Sequence, residues 1–177
     1  MPRIPYQPQD TSEPKEIVDA IRLRRGGTLL ELDRILLHSP ALARGWNQYL
    51  GAVRRELGLP ARLRELAIIG VGVLNGAHYE VLKHSPEFRA AGGTDAQLTA
   101  LYRYEEASAD AQLFDAQERA LMRMTIEMTR NVKVSAATFD ELQRHFPGAQ
   151  GVMELVGIIA AYNMVSRVLV ALEIEQE

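Results

Sequence analysis

Apolar residues recur along this chain at intervals of three and four, and no stretch of useful length alternates, so the pattern predicts helices throughout and no strand. Pro2, Pro5 and Pro8 punctuate residues 1–12, which read as an extended N-terminal arm. Ser12 offers an N-cap, Ile17, Val18 and Ile21 mark a first helix, and Gly26-Gly27 ends it. Thr28 opens a short second helix with Leu29, Leu32, Ile35 and Leu36 inward, stopped at His38-Ser39-Pro40. A third helix runs from about Ala41 to Leu57, before Gly58-Leu59-Pro60.

Leu63, Leu66, Ala67, Ile69, Gly70 and Val73 belong to a fourth helix too apolar for a surface element, expected at the centre of the core. Asn75-Gly76 breaks it, because both residues tolerate left-handed backbone. A fifth helix carries His78 to His84 and ends near Ala91-Gly92-Gly93, and Thr94 caps a short helix to Leu101. Asp115 to Met128 is amphipathic, Ser135 caps a helix through Leu142, and His145-Phe146-Pro147-Gly148 reads as a loop. Val152 to Leu172 forms a closing helix, apolar on most sides at its centre. The fold expected is all-α, an irregular or orthogonal helical bundle in one domain over residues 1–177. Apolar faces on two helices point to an oligomer.

Composition narrows the function. The chain has 177 residues, 47% hydrophobic and 24% charged, enough for a packed core without staples. A net charge of −3 with scattered Lys and Arg argues against a nucleic-acid partner, and Arg22, Arg24 and Arg25 suit the C-terminal end of the first helix. No uninterrupted apolar run reaches the ~18 residues a membrane span needs. No membrane association and a cytoplasmic location are therefore the default expectations. The absence of cysteine excludes protein thiol chemistry.

Chemistry concentrates around the fourth and fifth helices. Glu80 and His84 are four apart, so one helix stacks them on one face, where a carboxylate can orient an imidazole or exchange a proton with it. The same spacing also describes an ordinary surface pair. Glu65 lies inside the apolar run, where a charge needs a partner, and Arg62 or Arg64 could supply it. Fifteen residues separate Glu65 from Glu80, about 22 Å on a straight helix, so they meet only if the chain folds back near Asn75-Gly76 or another subunit intervenes. His78 and His84 are six apart, off one face, so no metal site is expected. Trp46, Tyr49 and Tyr162 read first as core or rim aromatics, with Trp46 and His78 retained as candidate ligand contacts. No phosphate loop or nucleophile elbow is present, and no cofactor is expected.

Leu63-Arg64-Glu65-Leu66-Ala67-Ile68-Ile69, then Asn75-Gly76-Ala77-His78-Tyr79-Glu80 and His84, resembles the carboxymuconolactone decarboxylase and AhpD-like family. His38-Ser39-Pro40 resembles the family's lead-in and Glu154 to Tyr162 its closing helix. The resemblance implies an AhpD-like helical fold assembled as homo-oligomers, trimers or hexamers. In the family's peroxidase branch a Glu precedes a Cys-x-x-Cys and a His. Glu65 and His84 match that pattern, while Ala77 and Glu80 stand at the thiol positions. The decarboxylase branch acts without cysteine on a small cyclic carboxylated lactone, which Glu80 and His84 suit better. The resemblance thus implies a decarboxylase-like lyase of aromatic-compound catabolism whose partner is a small organic acid or lactone. His84 oriented by Glu80 would move the proton, Glu65 would tune the pair, and Asn75 or Tyr79 would hold the lactone oxygen. The alternative is a family member that lacks the redox pair and binds a small molecule, or serves as a scaffold, without catalysis.

Overall fold

Backbone hydrogen bonding in the computed structural model, which describes residues 1–175, is helical throughout: ten α-helices and no strand among the described residues. The chain divides into two units, residues 1–57 with the C-terminal residues from Leu169, and Gly58–Val168.

The first unit holds α1 (Lys15–Arg25), α2 (Glu31–Leu36) and α3 (Pro40–Arg55). Helix α1 begins after Pro14 rather than Ser12 and ends at Gly26, whose φ of 80° places it in the left-handed region. Helix α2 takes its cap from inside: the Leu30 N–H donates to the Asp33 carboxylate at 3.0 Å, so the start falls two residues beyond the expected Thr28 cap. Pro40 opens α3, where its missing N–H costs nothing, and Ala43, Trp46, Leu50 and Val53 form the buried stripe. The N-terminal arm packs on its own chain. The Arg3 N–H donates to the Leu172 carbonyl at 2.9 Å, the Glu175 N–H donates to the Tyr6 hydroxyl at 3.1 Å, and His38 Nε2 lies 2.6 Å from the Pro5 carbonyl oxygen.

The second unit is built around α4 (Ala61–Leu74), buried on nearly every side as its sequence requires, with α5 (His78–Ala90) and α8 (Ala116–Asn131) against it and α9 (Ala136–His145) against α8. Between them run α6 (Asp95–Leu101) and the single turn α7 (Tyr104–Ala107). Reciprocal capping boxes, Thr94 with Gln97 and Asp115 with Glu118, open α6 and α8, and Ser135 caps α9 through the Thr138 N–H. Helix α10 spans Ala149–Leu172, its residues to Val168 lying in this unit. It is long and apolar enough, by length and composition, to cross a membrane, although Glu154 and Arg167 interrupt its sequence. Leu155, Ile158, Ile159, Tyr162 and Val165 on it are buried, as on a core helix.

Helix α8 ends in an unusual backbone. Val132 sits at φ 64°, ψ −42°, and its side chain is 83% exposed, so a β-branched residue occupies a strained conformation without packing in return. Val132→Gly is expected to stabilise the protein by about 1 kcal/mol by relieving that strain. A urea midpoint at or below the wild-type value would contradict this.

Candidate active site

Helices α4 and α5 form an antiparallel hairpin because Asn75 ends α4 and Gly76, at φ 68°, reverses the chain. The Ala77 N–H donates to the Gly72 carbonyl at 2.8 Å, and a Cβ on Gly72 would stand 3.1 Å from Val81 Cγ2 and 3.3 Å from Glu80 Cβ. The missing side chain lets the first turn of α5 lie close on α4. Glu65 and His84 come face to face across the hairpin within one chain.

His84 is held at both ring nitrogens. Nδ1 lies 2.5 Å from Glu65 Oε2, and Nε2 lies 3.2 Å from Glu80 Oε2. Arg64 donates from Nε to Glu65 Oε1 at 3.1 Å, and the Tyr162 ring stands edge-on to the imidazole with centroids 5.2 Å apart. Glu65, Glu80 and His84 retain 2%, 5% and 3% of their accessible surface, so the cluster is shut away from solvent. With both carboxylates ionised, its charges balance when His84 is an imidazolium: Arg64 and His84 against Glu65 and Glu80.

Burial opposes the charged imidazole, but the hydrogen bonds and charges of Glu65 and Glu80 outweigh it, so the pKa of His84 lies above its ordinary value. Burial likewise works against the Glu65 carboxylate, and the His84 hydrogen bond and charge, with Arg64 behind them, hold its pKa below the ordinary value. The three side chains form a continuous hydrogen-bonded chain, Glu65 to His84 to Glu80. Both imidazole nitrogens are engaged, so any proton that left His84 along these contacts would pass to a carboxylate. The two carboxylates also bind opposite ring nitrogens, so they do not converge on one point as metal ligands do.

The other expected residues are placed differently. Asn75 donates its amide to Asn163 Oδ1 at 3.1 Å and Ser166 Oγ at 2.7 Å, which ties the α4 terminus to α10. Tyr79 is buried with the Lys83 ammonium 5.7 Å from its ring centre, and His78 is exposed at the start of α5. Trp46 belongs to the buried stripe of α3 in the first unit. Cavities of about 840 Å³ beside Lys133 and Phe139, and about 320 Å³ beside Leu63 and Glu154, are lined by none of the expected site residues. Sequence reasoning named Arg64 as a partner for Glu65 but gave Tyr162 no place beside His84. Seventy-eight positions separate those two, and no local spacing links them.

Residues 40–125 match the Carboxymuconolactone decarboxylase family. No curated protein matches the sequence. Among solved structures, a peroxidase-related protein from Silicibacter sp. TM1040 superposes with a TM-score of 0.82 at 15% identity, over 99% of this chain and 92% of the other. An alkylhydroperoxidase AhpD core protein from Ralstonia eutropha JMP134 gives a TM-score of 0.82 at 19% identity, with the same coverage of 99% and 92%. The debrominase Bmp8, as a cysteine-to-alanine form in complex with 2,3,4-tribromopyrrole, gives 0.76 at 17% identity over 98% of this chain and 92% of its own. At these identities the likeness shows a shared AhpD-like fold.

Proposed function

We propose, starting from this chain's place as a cysteine-free relative of the carboxymuconolactone decarboxylase and AhpD-like family, that it acts by acid–base chemistry on a small cyclic carboxylic acid or lactone. The observation that carries the proposal is the buried relay, in which His84 bridges Glu65 and Glu80. On a cyclic unsaturated acid, the bond to the carboxylate breaks, carbon dioxide leaves, and its electron pair enters the conjugated ring. Glu80 takes a proton from His84 Nε2 and delivers it to the distal ring carbon. His84 is then neutral, with its remaining proton on Nδ1 toward Glu65, and one proton from solvent restores the cluster. Peroxidase chemistry through paired thiols has no counterpart here. The solved complex of a cysteine-to-alanine debrominase variant with a brominated pyrrole supports the idea that this fold accommodates small rings.

Replacing Glu80 with Gln preserves shape and removes the proton acceptor. The expected result is a loss of carbon dioxide release of about 10²-fold or more, the range of a general acid, with the helical circular dichroism unchanged. Full activity in that variant would remove Glu80 from the mechanism.

The near-complete burial of the cluster favours a second reading, a small-molecule-binding or scaffold protein in which the same residues form a neutral internal ion cluster. A panel of cyclic unsaturated acids separates the two, because this second reading predicts binding or no response and never turnover. The trimer or hexamer implied by the resemblance is supported by Met153, Ala160 and Met164, exposed on α10 at spacings of seven and four, and light scattering measures its size.

A further inference from the structure

In the first unit the last turns of α1 and α3 gather four arginines, two of which, Arg24 and Arg25, reach the Asp33 carboxylate. Arg24 crosses α3 at Gly51, where a Cβ would stand 3.8 Å from its Cδ, and its Nε donates to Asn47 Oδ1. Its Nη2 lies 3.5 Å from Asp33 Oδ1, while Arg25 donates to both Asp33 oxygens at 2.9 and 3.0 Å. Asp33 also accepts the Leu30 N–H and is almost fully buried, so its oxygens are already committed. Arg55, exposed, donates to the Arg24 carbonyl at the end of α1. Arg54, next to it in sequence, is half-buried, and its charge acts on Arg24.

The complement to the helix dipole expected for the basic residues of α1 is present but accounts for only part of this charge. Arg24, Arg25, Arg54 and Arg55 against Asp33 leave a net charge of +3 (4 − 1). Two helix C-termini offset about half a charge each, which leaves roughly +2 unbalanced. The strain registers on Arg24: burial first, then the charges of Arg25, Arg54 and Arg55, pull its pKa down to about 10 in spite of Asp33.

We propose that the junction of the α1 and α3 C-terminal turns is a binding site for a dianionic oxyanion, a phosphate or phosphomonoester group, gripped by Arg54 and Arg55 with Arg24 behind them. The charge fits. A phosphomonoester carries about −1.5 to −2 at pH 7, close to the unbalanced charge, and its oxygens match the fork of a guanidinium. Arg55 and Arg54 supply the accessible edge, and Arg24 and Arg25, fixed by Asn47 and Asp33, supply a positive field that needs no rearrangement. The site involves neither the Glu65–His84–Glu80 relay nor any reaction there.

The test uses the full chain at pH 7 and constant ionic strength, with chloride exchanged for inorganic phosphate and then for phenyl phosphate. Saturable ³¹P line broadening and a saturable rise in the melting temperature are expected with phosphate and absent with acetate. Changing Arg54 and Arg55 together to Ala should weaken phosphate binding at least tenfold, and changing both to Lys should restore part of it. Tighter binding of phenyl phosphate would identify the ligand as a phosphomonoester of a larger molecule, and equal binding would identify free phosphate. Absence of saturable broadening with the wild-type protein overturns the proposal without reference to any variant. So does a phosphate affinity unchanged by the double replacement.

Discussion

Replacing His84 with Gln is expected to cost about 3–5 kcal/mol of folding stability, the typical cost of removing one partner from a buried ion pair. That is a large part of the ~5–15 kcal/mol that holds a domain folded. Glutamine fills similar space but supplies no positive charge, so Glu65 and Glu80, 2% and 5% exposed, would face each other across it with only Arg64 to answer them. The pH dependence separates this account from a simple packing defect. In the wild type, the raised pKa of His84 gives stability that is fully present below its ordinary 6.5 and lost as pH rises through the folded value. The lowered pKa of Glu65 gives stability present above its ordinary 4.5 and lost as pH falls through the folded value. Both contributions are therefore intact between about pH 4.5 and 6.5, and the wild-type stability should be level there. Without the imidazolium, two buried like charges push one carboxyl pKa upward, and the sign reverses. The variant should lose stability as pH rises from about 4.5. Urea midpoints across this window measure it, and a variant curve parallel to the wild type would refute the charge-cluster account. Changing Glu65 and Glu80 to Gln in the same chain should recover much of the loss, because no buried carboxylate then lacks a partner, and Arg64, 19% exposed, reaches solvent more readily.

The parts of this cluster differ in how openly the sequence announces them, and the difference follows distance along the chain. Glu80 and His84 sit one helical turn apart, so their contact follows from helix geometry once the helix is recognised. Glu65 requires the reversal at Asn75-Gly76 as well, which the left-handed tolerance of those residues makes legible. Burial does not follow from spacing, since the same i,i+4 pair on an exposed helix would be a minor surface contact. It depends on Tyr162 and α10 closing over the imidazole, and no local pattern ties that helix to α5.

The caps behave in the same way. Thr94, Asp115 and Ser135 act within three residues of themselves, and their helices begin as expected. The second helix departs because Asp33, at its third position, reaches back to the Leu30 N–H and outweighs Thr28. The turn Tyr104–Ala107 is too short to carry a periodic signal. It exists because the Tyr104 ring needs a place against α4.

That place makes Gly70→Ala the other large expected effect. Gly70 lies in the middle of α4, where alanine would ordinarily favour the helix by about 1 kcal/mol. A Cβ there would fall inside the van der Waals surface of the Tyr104 ring, against Cζ and Cε2 as well as the hydroxyl. The ring cannot swing outward: it is 1% exposed, and its hydroxyl donates to the Leu66 carbonyl at 3.2 Å. Overpacking costs about 1–3 kcal/mol, and pulling the hydroxyl from its partner adds about 1–3 kcal/mol for the buried group left unsatisfied. The sum exceeds the helix-propensity gain, so a net loss of about 1–5 kcal/mol is expected. Tyr104→Phe should not rescue the variant, because the ring carbons are what collide. Tyr104→Leu removes them and should cost clearly less in the Gly70→Ala background than in the wild type. Chemical denaturation of the four chains of that cycle gives the coupling directly. Additive losses would mean that α4 and α7 relax apart, and that Gly70 is not what sets their separation.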